Sequence, residues 1–170
     1  MRIPHALLPI AVLLTAAATG GAARAQKPEC LRQPARVTAE RDAAAHDAWT
    51  LKLTWSGGFF GQFPKSITVA ASGHATVPAS AGCLGADDRA AFDKLLAAAR
   101  PEEWHACYGT NPCCDRFSYS LDLKQPRDSR AYHLSWYSGD DESMPPDLRQ
   151  LVTALTALGS TKLPACPAVK

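Results

Sequence analysis

The chain has 170 residues, 18 Lys or Arg against 16 Asp or Glu, 46% hydrophobic residues and six cysteines. So even a balance excludes the basic footprint of a nucleic-acid binder, and no charge block or basic amphipathic run marks a membrane-surface helix.

Residues 1–25 read as a secretory signal peptide. Arg2 supplies the positive start, Leu7 to Ala18 a short apolar run, and Ala23-Arg24-Ala25 a small-residue cleavage site. The run is too short to span a bilayer. Cleavage after Ala25 removes Arg2 and Arg24, leaving 18 less two, or 16, basic side chains against 16 acidic ones. The expected product is exported to the periplasm or the medium, free of the membrane, monomeric and one domain in size.

Residues 26–47 read as an irregular lead-in with Pro28 and Pro34, and the domain proper as 48–159. Trp49, Leu51, Leu53 and Trp55 alternate with Thr50, Lys52 and Thr54, the pattern of a half-buried strand. The strand runs into Ser56-Gly57-Gly58-Phe59-Phe60-Gly61, a turn whose glycines permit positive φ. Ile67 and Val69 mark the return strand, and His74 to Val77 a short third one. Helical spacing follows over 86–100, with Phe92, Leu95, Leu96 and Ala99 on one face and Asp87 and Asp88 suited to the cap and first turn. Pro101 ends that helix, and 102–114 form a connector rich in Cys, Gly and Pro.

Phe117, Tyr119, Leu121 and Leu123 alternate inward, as do Tyr132, Leu134 and Trp136, with Pro126-Arg127-Asp128-Ser129 as the turn of a hairpin. After the acidic loop 138–144, Pro145-Pro146 opens a helix with Leu148, Leu151, Leu155 and Leu158, stopped by Gly159 before an irregular tail, 160–170. The order β-β-β-α-β-β-α predicts an α+β fold: an antiparallel sheet of about four to five strands with two helices on one face, containing disulfides.

Cys30, Cys83, Cys107, Cys113, Cys114 and Cys166 all follow the leader, and an even count in an exported chain points to disulfides. Cys30 and Cys166 lie in the two tails and are placed to pin them to the body, while the adjacent Cys113 and Cys114 are suited to separate partners; the connectivity stays open. His105, Cys107, Cys113 and Cys114 are zinc-ligand types, but their spacing does not match a paired Cys-x-x-Cys framework, so no metal is expected. His46, His74 and His133 are scattered. No nucleophile elbow, His-Glu-x-x-His or phosphate loop is present, so a non-catalytic protein without a cofactor is expected, with a small hydrolase as a distant alternative. Trp49, Trp55, Trp104 and Trp136 read as core residues. Phe59 and Phe60 remain open to two readings, packed inward or held out as apolar anchors.

Four parts of the chain, over about Ala48 to Gly159, resemble the emfourin family, small bacterial inhibitors of thermolysin-family metalloproteases such as protealysin. They are the alternating strand running into Ser56-Gly57-Gly58-Phe59-x-Gly61, the helix through Phe92, Leu95 and Leu96, the stretch Asp115-Arg116-Phe117-x-Tyr119-x-Leu121 with its partner strand through His133 and Trp136, and the Pro-Pro-x-Leu start of the last helix. The chain departs from the family in its leader, its six cysteines, its long lead-in, the cysteine-rich segment 108–114 and Pro64. The resemblance implies inhibition by two neighbouring loops, one apolar and one acidic. Ser56 to Gly61 is the candidate protease-binding loop. Asp140, Asp141 and Glu142 are candidates for the carboxylate facing the protease zinc, with Asp87 and Asp88 next. The alternative is an envelope binding protein of the same fold that inhibits nothing.

Overall fold

The computed structural model describes residues 33–39, 49–58, 62–109, 115–125 and 130–167 of the chain. Its strands are β1 (Arg36–Ala39), β2 (Thr50–Gly57), β3 (Gln62–Ala70), β4 (His74–Val77), β5 (Ser80–Cys83), β6 (Cys107–Tyr108), β7 (Phe117–Gln125) and β8 (Arg130–Tyr137). The helices are α1 (Ala86–Ala98) and α2 (Pro146–Leu158). Seven strands follow one another in the order β1-β8-β7-β2-β3-β4-β5, each antiparallel to its neighbours, and β6 adds a short parallel pairing on β8. The α+β class is as expected. The sheet is larger than four or five strands, and mixed rather than purely antiparallel.

Alternation along β2, β3, β7 and β8 gives the sheet one apolar face, and register lines its residues up. Ala75, Val69, Leu51, Leu123 and Tyr132 form one row, and Ile67, Leu53, Leu121 and Leu134 the next. Trp55, Tyr119, Trp136 and Tyr108 form a third, aromatic row. Leu51, Leu53, Leu121, Leu123 and Leu134 are fully buried. Burial of each such side chain stabilises the fold by about 2 kcal/mol, so these rows dominate its energetics. The other face carries Lys52, Thr54, Ser66, Thr68, Ser120, Asp122, His133 and Ser135, all partly or fully exposed. There His133 Nδ1 and Asp122 Oδ1 lie 2.7 Å apart across the β7–β8 pair.

Both helices lie on the apolar face. Leu148, Leu151, Leu155 and Leu158 make one buried stripe on α2, while α1 buries only Phe92 and Leu96. Proline at the first position of α2 suits a site where the backbone N–H would be unpaired anyway. Asp147 in that first turn accepts the Arg100 backbone N–H at 3.0 Å and the Trp104 indole N–H at 3.1 Å on the same oxygen. Burial pushes the Asp147 pKa up, but these bonds and the backbone N–H groups at the helix start outweigh it and leave the carboxyl below its ordinary value. The helix α1 stops at Ala98, two residues short of the expected end, because the residue before Pro101 is driven out of helical geometry.

The departures are at the edges. The lead-in is not wholly irregular, since β1 lies within it and pairs with 130–133 on the outer side of β8. The connector supplies β6, which pairs with Ser135 and Trp136 further along that same side. Hydrogen bonds from Ala35 N–H to the Trp104 carbonyl (2.7 Å) and from Ala106 N–H to the Gln33 carbonyl (2.9 Å) tie the two segments together. Past β4, β5 extends the opposite edge, and the tail crosses it with Leu163 buried and Cys83 N–H donating to the Pro164 carbonyl at 2.9 Å. Pro64 lies where the β2–β3 register shifts, a bulge that tolerates its missing N–H. The turn 126–129 lies outside the described residues, but β7 and β8 pair as expected.

Candidate functional site

Three chain segments meet at the end of the sheet where β2 finishes and β7 begins. Gly57 and Gly58 turn there with φ of 100° and 80°, in the left-handed region. A Cβ on Gly58 would stand 2.9 Å from the Phe117 ring, so this turn requires glycine on grounds of both conformation and space. The turn therefore rests on the first residues of β7.

Phe117 and Arg116, the residue just before β7, hold the loop after β8. Arg116 Nε donates to the Ser138 carbonyl at 2.7 Å, and Nη2 donates to the same oxygen and pairs with Asp140 Oδ1 at 3.0 Å. Phe117 N–H donates to Ser138 Oγ at 3.2 Å, and Ser138 N–H returns to the Phe117 carbonyl at 2.9 Å. Asp140 is 17% exposed, and its Oδ2 is buried without a hydrogen bond. A Cβ on Gly109, just past β6, would overlap that carboxylate, so the third segment also closes on Asp140.

Next along the chain, Asp141 and Glu142 are exposed on a single 3-10 turn, Asp141–Ser143. Ser143 Oγ donates to the Asp140 carbonyl at 2.7 Å, and Arg149 Nη2 donates to the Glu142 and Met144 carbonyls, each at 3.0 Å. Five groups thus fix the backbone beneath the two carboxylates: Arg116, Phe117, Ser138, Ser143 and Arg149. Beside them Tyr119 stacks on Trp136, ring centroids 5.3 Å apart and 9° from parallel. Burial, and then the charge of Asp141, pushes the Tyr119 phenol pKa up.

The sequence candidates separate accordingly. Ser56, Gly57 and Gly58 share the site with Asp140, Asp141 and Glu142, whereas Phe59, Phe60 and Gly61 lie outside the described residues. Asp140 is turned inward and ion-paired, which leaves Asp141 and Glu142 as the outward carboxylates. Asp87 and Asp88 stand at the other end of the sheet, because α1 starts beside the β3–β4 turn, where Leu84 N–H donates to the Gly73 carbonyl at 2.9 Å. Arg116, Ser138 and Gly109 organise the site, yet pattern reading assigned them no role. The sequence signal was Arg116 directly before a strand, with an acidic loop still to come.

Among the described residues, surface grooves lie on the helical side. One runs along α2 through Asp141, Met144, Arg149, Val152 and Ala157, and another lies between the helices at Phe92, Leu95 and Leu158. The first is also lined by Thr153 and Thr156, and the second by Asp88 and Thr161. Cys83 and Cys166 form a disulfide, and Cys107 is disulfide-bonded as well. Cys30, Cys113 and Cys114 lie outside the described residues. Such bonds persist in oxidising compartments. Among the described residues no helix is long and apolar enough to cross a membrane. No family model, curated protein or solved structure matches the chain.

Proposed function

We propose that this protein is an exported inhibitor of thermolysin-family zinc metalloproteases, acting through the glycine-rich end of its sheet. The observation that carries the reading is the shared anchorage of two loops. Arg116 and Phe117 support the Gly57-Gly58 turn on one side and the 138–142 loop on the other. Inhibition by two neighbouring loops, one apolar and one acidic, is what the emfourin resemblance implies. The zinc of such a protease has three protein ligands and one open, water-filled position, beside an apolar pocket for a substrate side chain.

In this reading Phe59 or Phe60 fills the pocket and Asp141 or Glu142 offers a carboxylate oxygen to the zinc. Asp140 holds the loop through Arg116 and does not reach the protease. Because the acidic turn is already fixed by Ser143 and Arg149, little ordering entropy is lost on binding, which favours tight association from a small patch. The likeness of Ser56 to Gly61 to the emfourin element supports the choice of target class.

The experiment is a titration of the oxidised protein against several thermolysin-family proteases, following cleavage of a short peptide. Saturable inhibition that weakens at least tenfold in Phe59→Ala/Phe60→Ala, and also in Asp141→Asn/Glu142→Gln, is the expected result. A folded protein that inhibits none of them overturns the reading and leaves a binding protein of the same fold.

A further inference from the structure

At the far corner of the sheet a histidine stands against the disulfide. His74 and Cys83 are directly opposed on β4 and β5, and the tail brings Cys166 to the same spot. His74 Nε2 lies 3.6 Å from Cys166 Sγ, and the three potential ligand atoms all lie within 4.8 Å of one another. In a tetrahedral zinc site, with Zn–S about 2.3 Å and Zn–N about 2.0–2.1 Å, neighbouring ligand atoms are roughly 3.5–3.8 Å apart. His74 and Cys166 already have that spacing. The two sulfurs, 2.09 Å apart as a disulfide, have to part.

We propose that the reduced form of the protein binds one Zn2+ ion through His74, Cys83 and Cys166. A dithiol reductant delivers two electrons and two protons to the disulfide, giving two thiols and the cyclic disulfide of the reductant. Zinc then displaces the two thiol protons and takes the thiolates and the neutral Nε2 of His74, and water completes the fourth position. The ligands remain together after reduction for reasons independent of the sulfur bond. His74 and Cys83 are held by strand pairing, and Cys166 by the Pro164 hydrogen bond and buried Leu163 just before it. His74 is exposed, and both cysteines are partly so, which leaves the ion a path in. Disulfide and metal are alternative occupants of one place. Either of them ties the tail to β5.

The test uses the fully reduced chain, freed of reductant without air, with Zn2+ titrated against a chromophoric chelator. The other four cysteines are reduced too, so the quantity read is a difference between variants. Wild type is expected to bind one equivalent more than Cys83→Ser/Cys166→Ser, and His74→Ala to weaken that equivalent at least tenfold. Limited proteolysis adds a second reading: zinc should restore protection of the tail in reduced wild type and not in the double serine variant. Equal binding by wild type and the double variant, or no effect of His74→Ala, overturns the proposal. So does a reduced chain that is unfolded and stays unfolded with zinc.

Discussion

At the glycine-rich end of the sheet, Arg116 gathers three chain segments with hydrogen bonds and one ion pair, whereas at the far corner the tail is tied to β5 by a covalent bond. The first arrangement stabilises the folded state directly and acts locally, so it fixes loop geometry at moderate energetic weight. The second works largely on the unfolded chain, by closing a loop between residues separated by 83 positions. A surface meant to present groups in a set geometry needs the first kind of restraint. A tail that must cover an edge strand needs only the second.

The largest effect should come from breaking the covalent corner. Cys83→Ser/Cys166→Ser is expected to lose about 2–5 kcal/mol in urea unfolding, the usual cost of removing a native disulfide. Peptide cleavage assays should show protease inhibition by the folded fraction unchanged, since the corner lies at the other end of the sheet. Breaking the polar end should cost less and do the reverse. Arg116→Met leaves the Asp140 carboxylate without its charge partner and the Ser138 carbonyl without its donors, a loss of about 2 kcal/mol. Inhibition should fall by more than that stability change explains, because the acidic turn loses its anchor.

A smaller effect, about 1–2 kcal/mol, is expected for Gly58→Ala, from forcing a side chain into the left-handed region against Phe117. Amide hydrogen exchange should show the loosening confined to the β2–β3 turn and the start of β7. The smallest contribution is pH-dependent. The Asp147 carboxyl is lowered in the folded state, so its contribution is present above the unfolded value of about 3.9 and is lost as pH falls through the folded one. Stability measured between pH 6 and the acid transition should fall less steeply in Asp147→Asn than in wild type. A steeper fall would mean that the indole and backbone donors do not favour the charged form.

The centre of this molecule is legible in its sequence because long, regular patterns specify it. Leu51 and Leu53, Leu121 and Leu123, and Tyr132 to Trp136 keep period two over whole strands, and the α2 leucines keep helical spacing. The edge strands are not legible. The pairings of β1, β5 and β6 involve four, four and two residues, and Ser80-Ala81-Gly82-Cys83 carries small residues where a strand pattern needs large ones. They form because β8 and β4 offer unpaired backbone. The glycine turn was readable from Gly57 and Gly58. The pairing of Arg116 with Asp140 was not, since an acidic residue in a polar loop reads as solvated unless the chain crossing beside it is known. Asp87 and Asp88 were nominated on the ground that the loop before α1 could face the same way, and they stand at the other end of the sheet. The partner of Cys166 is not legible either, because it depends on the tail lying over β5, which no local pattern specifies.

The proposed binding of a metalloprotease by the glycine-rich end is read out by the inhibition that paired loop variants retain. The oxidised chain should inhibit a thermolysin-family protease saturably. Phe59→Ala/Phe60→Ala and Asp141→Asn/Glu142→Gln should each weaken inhibition at least tenfold, while His74→Ala, at the far corner, should leave it unchanged. A folded wild-type protein without inhibition, or inhibition indifferent to both loop variants, would contradict the account.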